Sequence, residues 1–346
     1  MKTKKIAVVG AGHLGRIHAK LAASIESIEP VVIEPSSGAR AFIEKEHGVP
    51  TVESLDQIDG VLDGGIVVTP TQTHFSVAAD LLDRGCHLLL EKPICADGAS
   101  ATDLCERASQ LGRTLQVGHV ERFNPAFVAA RPLIHQPKYI ETTRLTPYSF
   151  RATDVSVILD LMIHDIDLVL SMVKSKVLSI QAVGTSVVGP HLDMAKAWLE
   201  FENGTVACLT ASRCSYTSQR AMQVMTAEKH LHIDLAGQTV NAVTPVEGLA
   251  DQLRGITSPE EVQAAKDGMF EKWLPIEAVT VTPQNAILAE QLEFVRCIET
   301  GDEPTVTGWD GRDALLIGEQ LEAVVKTTQS RMDSVLPERH VLHNVA

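Results

Sequence analysis

Two places in the chain hold side chains whose types and spacing suit proton and hydride chemistry. The first is Lys92, in the run Leu88-Leu89-Leu90-Glu91-Lys92-Pro93. An apolar strand that ends on a lysine sets an ammonium group at the edge of its own core. Pro93 restricts that lysine to extended backbone, and the bond between them is of the kind open to the cis form. Such a lysine can donate to a substrate oxygen or relay a proton; taken alone, a surface partner of Glu91 is the reading a generic strand end favours. The second place is "SVILDLMIHDIDLVLSM", where Asp160 and His164 stand four apart and Asp167 three further on. On a helix these three share one stripe. The rest of the segment is apolar, so the helix is expected to be buried, where polar groups are costly unless paired or open to a cleft. A carboxylate one turn from an imidazole can orient it and raise its basicity, as a general base requires. The competing reading is a histidine satisfied locally in a structural helix, and Asp165 and Asp167 read as structural.

A third stretch, "GHVERFNPAF" at 118–127, offers His119, Arg122 and Asn124 to an anionic or hydroxylated ligand, or else is a plain linker. The other histidines (His13, His18, His74, His191, His230, His232, His340 and His343) show no metal-ligand spacing and there is no HExxH, so no metal is expected. Six cysteines without a CxxC pair read as free thiols in a reducing compartment.

These groups need a scaffold, and the first third of the chain supplies one. "KIAVVGAGHLG" places Gly10, Gly12 and Gly15 directly after a strand and at the start of a helix. The first glycine permits the turn, the second admits a pyrophosphate, the third lets helix and strand pack, and the helix N-terminus favours the anion. His13 and Leu14 fall inside this loop. Glu34 closes the second strand, 24 positions after Gly10, placed for ribose hydroxyls and repelling a 2′-phosphate. NAD is therefore expected, although Ser36, Ser37 and Arg40 close behind keep NADP open. The next strand ends in "VVTPTQTH", where Thr69, Pro70, Thr71, Thr73 and His74 either line the ligand crevice or form an ordinary loop with Thr73 as a helix cap. Glu91 and Lys92 close the strand after that, at the same sheet edge.

Strands are expected at 4–9, 31–34, 65–69, 87–91 and 114–117, with helices at 14–24, 38–47, 74–84 and 98–111 between them. Near-continuous apolar strands alternating with helices indicate a parallel sheet covered on both faces. After residue 120 the pattern changes to alternating strands, with a helix at 155–173 and an Asn-Gly hairpin signal in "ENGT". Residues 245–285 read as irregular, followed by helices at 285–300 and 310–328. The fold expected is α/β: an NAD-binding domain over 1–120, and a substrate-binding and oligomerisation domain over 121–346 with a large, mostly antiparallel open sheet.

Composition agrees. Of 346 residues, 45% are hydrophobic and 21% charged, enough for a core and too apolar for disorder. A net charge of −14 argues against nucleic-acid or anionic-membrane partners. No apolar run is long enough to span a bilayer and the N-terminus lacks a signal-peptide core, so a cytoplasmic globular protein is expected.

In combination, "GAGHLGRIHAK", "TPTQTH", "EKP" and "DLMIHD", with "AEQLEFVRCIETGDEPTVTGWDGRDALLIGEQLEAV" near the end, resemble the glucose–fructose oxidoreductase/inositol dehydrogenase/rhizopine catabolism (Gfo/Idh/MocA) family. The resemblance covers essentially the whole chain. It implies a Rossmann domain followed by an α/β domain whose open sheet commonly forms a homodimer or homotetramer interface. The family's catalytic lysine falls on Lys92, and its Asp–His pair on Asp160 and His164, the histidine acting as acid/base on a sugar hydroxyl. Lys92, Asp160 and His164, together with Arg122 and Asn124 from the 118–127 stretch, are the expected substrate contacts. The GGG-type run that often precedes the aspartate is replaced here by "DVSVI". "GHVERFNPAF" with "LDLMIHDIDLVLS" is most similar to the branch that oxidises the C3 hydroxyl of UDP-N-acetylglucosamine. An inositol-like polyol is the alternative substrate, and a non-catalytic NAD-sensing regulator the alternative from another class.

Overall fold

The computed structural model describes residues 3–149 and 155–335, with side chains to 331. Asp154 and the tail histidines His340 and His343 lie outside these. The chain forms two compact units. One takes in Met1–Leu133, Ile233–Asn241 and Glu277–Leu316, the other Ile134–His232, Ala242–Ile276 and Ile317–Ala346.

The first part of the chain alternates strand and helix as expected: β1 (Lys4–Val9), α1 (His13–Ala22), β2 (Ile28–Ile33), α2 (Ser37–His47), β3 (Thr51–Val52), β4 (Gly64–Val67), α3 (Thr71–Asp83), β5 (His87–Glu91), α4 (Gly98–Gln110) and β6 (Leu115–Gly118), then a short α5 (Pro125–Ala130). The six strands make one parallel sheet in the order β3-β2-β1-β4-β5-β6. The order reverses beside β1, so the loops after β1 and β4 open on the crevice where such sheets bind ligands.

The remainder runs β7 (Tyr139–Leu145), a single π turn (Ile158–Met162) leading into α6 (Ile163–Val173), β8 (Val177–Thr185), β9 (Met194–Phe201), β10 (Val206–Ser212), β11 (Gln219–Met225), β12 (His230–Asp234), β13 (Thr239–Val243), α7 (Leu249–Arg254), α8 (Pro259–Asp267), β14 (Ile276–Val279), α9 (Ala286–Thr300) and α10 (Gly308–Val335). The eight strands from β7 on form a second sheet, ordered β14-β13-β12-β11-β7-β10-β9-β8. Pairs β8–β9, β9–β10 and β7–β11 are antiparallel and β7–β10 is parallel. The hairpin between β9 and β10 turns at Asn203-Gly204, with Gly204 at φ 81°.

The first sheet carries no polar alternation because both its faces are covered. A Cβ added to Gly64 would meet Phe294 of α9, and one added to its neighbour Gly65 would meet Leu81 of α3. Successive strand residues point to opposite faces, so α9 and α3 cover opposite sides. Phe294 and Val295 join Ile6, Val8, Val32, Ile66 and Leu89 in one buried cluster. In the second sheet β9 alternates exposed and buried along its length, as a sheet with one covered face requires.

Several sequence expectations need correction. The helix expected from 155 begins as a π turn at 158. The stretch 245–285, expected to be irregular, contains α7, α8 and β14; α8 starts on a capping box in which Ser258 and Glu261 satisfy each other's backbone, with Pro259 at the first position. α3 starts at Thr71 rather than 74, and α10 runs on to Val335. β7 and β3 were not foreseen; β7 is a central strand of its sheet, and its burial alternates strictly. Among the described residues no helix is long and apolar enough to cross a membrane, and all six cysteines are free thiols.

Candidate active site

The turn after β1 is built for close approach. Gly10 has φ 104°, and a Cβ on it would come within 2.7 Å of Val68 O. A Cβ on Gly15 would lie 2.1 Å from Gly10 O, so α1 packs straight onto the turn. At Gly12 an added Cβ would meet nothing within 4 Å, and no side chain caps the start of α1. His13, exposed, and Leu14, half-buried, form that first helical turn. An uncapped helix N-terminus beside an open glycine suits a pyrophosphate.

Glu34 is fixed next to this turn by two backbone N–H groups: Ala11 N donates to Oε2 at 2.8 Å and Ser36 N to Oε1 at 2.9 Å. Its carboxylate keeps acceptor capacity for ribose hydroxyls. Arg40 is turned onto the backbone, donating to Glu34 O and Pro35 O at 2.7 Å each, and also pairs with Glu53 at 3.7 Å. The donor set therefore fits NAD.

The loops after β4 and β5 are tied together by His74, which is buried with Nε2 2.9 Å from Thr69 O and Nδ1 2.8 Å from Pro93 O. Burial pushes its pKa down, against the two carbonyls, which favour the proton. Both ring nitrogens thus face the chain itself, and the geometry makes His74 a clamp between the two loops. Thr73 Oγ1 donates to Pro70 O and lies 2.9 Å from Thr69 Oγ1, while Thr71 opens α3. The Lys92–Pro93 bond is cis. Lys92 is half-buried; Glu91 before it is buried, with Oε1 3.0 Å from His18 Nε2 and Oε2 accepting from Lys92 N at 3.3 Å.

In the second unit Asp160 lies in the π turn and His164 in the first turn of α6, both half-buried. A π turn advances each residue through a smaller angle than an α turn, so a spacing of four still sets the pair on one side. The segment is anchored from several directions. Arg144 of β7 donates to both oxygens of Asp165, at 3.0 and 2.8 Å, with both side chains buried. Arg213 pairs with Asp193 at 2.7 Å and donates to Val155 O at 2.9 Å. Burial would raise the Asp193 pKa, but bonds from Val188 N, Arg213 and Val187 N outweigh it and hold the carboxyl low. Ser156 Oγ donates to Glu322 of α10, and a Cβ on Gly318 would lie 2.8 Å from Leu159 Cδ2. Asp165 is an anchor, as its sequence reading has it.

The stretch 118–127 belongs to the first unit. Arg122 lies 3.8 Å from Asp310. Asn124 caps α5: its Oδ1 accepts from Ala126 N, and its Nδ2 donates to Glu121 Oε2 and Leu235 O at 2.9 Å each. Its amide is thus engaged by the chain on both sides. Sequence reasoning missed a further group. Donor atoms of His18, Glu91 and Glu290 lie within 4.8 Å of one another, all three residues buried, and Gln291 Nε2 reaches His18 Nδ1 at 2.9 Å. The signal was present in α9, where Glu290 shares the apolar stripe of Phe294 and Cys297.

Comparison with known proteins agrees with this architecture. The profile described as "Oxidoreductase family, NAD-binding Rossmann fold" matches residues 4–119, and that of the "GFO/IDH/MocA C-terminal domain" matches 128–232. The UDP-N-acetylglucosamine 3-dehydrogenase of Acidithiobacillus ferrooxidans is 32% identical over 325 residues, covering 94% of this chain and 98% of that one. A solved structure of that enzyme, GnnA, superposes with a TM-score of 0.83 at 31% identity, covering 94% of this chain and 99% of its own. The scyllo-inositol 2-dehydrogenase (NAD(+)) of Bacillus subtilis is 26% identical over 91% of this chain and 92% of its own length.

Proposed function

Because this chain belongs to the Gfo/Idh/MocA oxidoreductases, whose first domain binds NAD, we propose that it oxidises a secondary hydroxyl of a sugar, and specifically the C3 hydroxyl of UDP-N-acetylglucosamine to the 3-ketone. The observation that carries this reading is the 32% identity to the A. ferrooxidans enzyme along nearly the full length of both chains.

Bound NAD supplies the hydride acceptor, and the protein's own groups handle the proton. His164 takes the proton from the substrate hydroxyl as the carbon gives up its hydride. Asp160, four residues before it, orients the imidazole. Lys92 donates a hydrogen bond to the same oxygen and holds it as it becomes a carbonyl. The Gly10–Gly15 turn, with His13 and Leu14, holds the pyrophosphate, and Glu34 the adenosine ribose. Thr69, Pro70, Thr71 and Thr73 line the crevice at the nicotinamide side, where His74 and Glu91 support the loops. Arg122 completes the substrate contacts.

The test is NADH formation with UDP-N-acetylglucosamine set against free inositols under matched conditions. Turnover of the nucleotide sugar supports the reading; turnover of inositols alone moves the assignment to the polyol alternative, which the B. subtilis relative represents. His164→Ala should abolish turnover while NAD binding persists, and unchanged kcat would sink the base assignment. Lys92→Met should lower kcat more than NAD affinity.

A homo-oligomer through the second sheet belongs to the same proposal. Its support is that Val183, Trp198 and Met225 are exposed on strands of that sheet. Light scattering on the purified protein reads the assembly directly, and a monomer would refute it.

A further inference from the structure

Behind Lys92 lies a buried polar group that neither the dinucleotide site nor the proton chemistry accounts for. Its protonation follows from its hydrogen bonds. Gln291 Nε2 lies 3.2 Å from His18 O as well as 2.9 Å from His18 Nδ1. A carbonyl accepts only, so this end of the amide is its NH2, and it donates to Nδ1. That nitrogen then carries no hydrogen; the hydrogen sits on Nε2, which donates to Glu91 Oε1 at 3.0 Å. His18 is held neutral, and its Nε2 lone pair is withdrawn from any cation.

Glu91 accepts at one oxygen from His18 Nε2 and at the other from the backbone N–H of Lys92. It is also confined across the sheet. Its register partner in β6 is Gly118, where a Cβ would lie 2.9 Å from the Glu91 carboxyl carbon. The remaining neighbour is Glu290 of α9. It is fully buried, no donor among the described residues reaches either of its oxygens, and a carboxyl oxygen comes within 4.8 Å of a Glu91 oxygen and a His18 ring nitrogen. Two carboxylates so close and so dry cannot both ionise without a counter-charge. Burial, then the Glu91 charge, then Glu293 all push the Glu290 pKa well up.

We propose that Glu290 is a positioning residue: a protonated carboxylic acid that shares its hydrogen with the Glu91 carboxylate and so fixes the strand end from which Lys92 projects. Glu91 is then held by α1, β6 and α9 together, and the residue after it inherits a fixed origin. The functional part of this inference rests on the reading of Lys92 as the group that hydrogen-bonds the reacting oxygen.

Infrared difference spectra of wild-type protein and Glu290→Gln at neutral pH, in H2O and D2O, test the protonation. A carboxylic-acid carbonyl band that shifts in D2O and vanishes in the variant is expected; its absence overturns the proposal. A stoichiometric divalent metal found by elemental analysis in wild type and lost in Glu290→Gln overturns it as well, since a cation would then supply the counter-charge. Glu290→Gln keeps a donor of the same shape and should retain most of kcat. Glu290→Leu removes the donor and should lower kcat by about tenfold, the rate equivalent of one hydrogen bond, with KM for NAD nearly unchanged. Equal kcat in both variants, or an equal loss of kcat and NAD affinity, overturns the positioning role. If Lys92→Met keeps full turnover, the reading of Lys92 fails instead, and the infrared band still reports the shared proton.

Discussion

At the scale of single residues, the first unit treats its charges unequally. Glu34 is held at the surface of the cofactor turn by two N–H donors and stays available to a ligand. Glu290 is sealed in the core with none. The difference has a measurable sign. The unfolded chain releases the Glu290 proton above a pH of about 4.3, whereas burial, Glu91 and Glu293 make the folded chain keep it. The native state then binds more protons than the unfolded state, and this residue erodes stability as pH rises. The groups facing it are His18 on α1, Glu91 at the end of β5, and Glu293 on α9 itself, and all three are unchanged in Glu290→Gln. The melting temperature of Glu290→Gln relative to wild type should therefore rise from about pH 5 to about pH 8. A flat difference across that range would mean that the Glu290 carboxyl titrates normally.

At the scale of elements, the positioning of the Asp160–His164 segment rests on the two buried ion pairs described above. Removing one partner of such a pair leaves an uncompensated buried charge. Arg144→Met is expected to destabilise the protein by about 3–5 kcal/mol and to lower turnover with little change in NAD affinity; chemical denaturation with parallel NAD titration checks both. What could be read ahead of the structure divides along the same line. The strand–turn–helix around Gly10, the acidic end of β2 and the Asn203-Gly204 hairpin were legible because each depends on neighbours in sequence. The π turn was not, since apolar periodicity does not distinguish an α turn from a π turn over five residues. β7 was missed because its buried face carries Thr142 and Arg144 beside Ile140, and its half-buried face carries Glu141 and Thr143, so the sequence shows no apolar alternation. α8 was readable and was passed over: Ser258-Pro259-Glu260-Glu261 is a complete N-terminal signal, obscured by the polar composition around it. The burial of Glu290 could be read from the apolar stripe of α9, but its meeting with His18, Glu91 and Gln291 could not, because only tertiary packing brings them together.

At the scale of the whole molecule, the cofactor-binding unit is discontinuous in sequence. α9 supplies Phe294 and Val295 to the cluster that covers one face of the first sheet, although more than 150 residues separate it from β6. Phe294→Ala should cost about 3–5 kcal/mol, as large aromatic truncations in cores do, and should weaken NAD binding in proportion to the fraction unfolded. A fragment ending at residue 133 lacks that cover; it should aggregate or expose apolar surface to a hydrophobic dye, and a well-folded, NAD-binding fragment would contradict this account.

The return of α9 to the first sheet also bears on how such a chain can be recombined. A single crossover near residue 133 would join one parent's first sheet to another parent's α9, pairing Phe294 and Glu290 equivalents with a surface they did not evolve against. A clean exchange of the second unit needs crossovers on both sides of each returning segment. Chimaeras that carry Ala286–Thr300 along with the first sheet should therefore fold where single-cut ones fail.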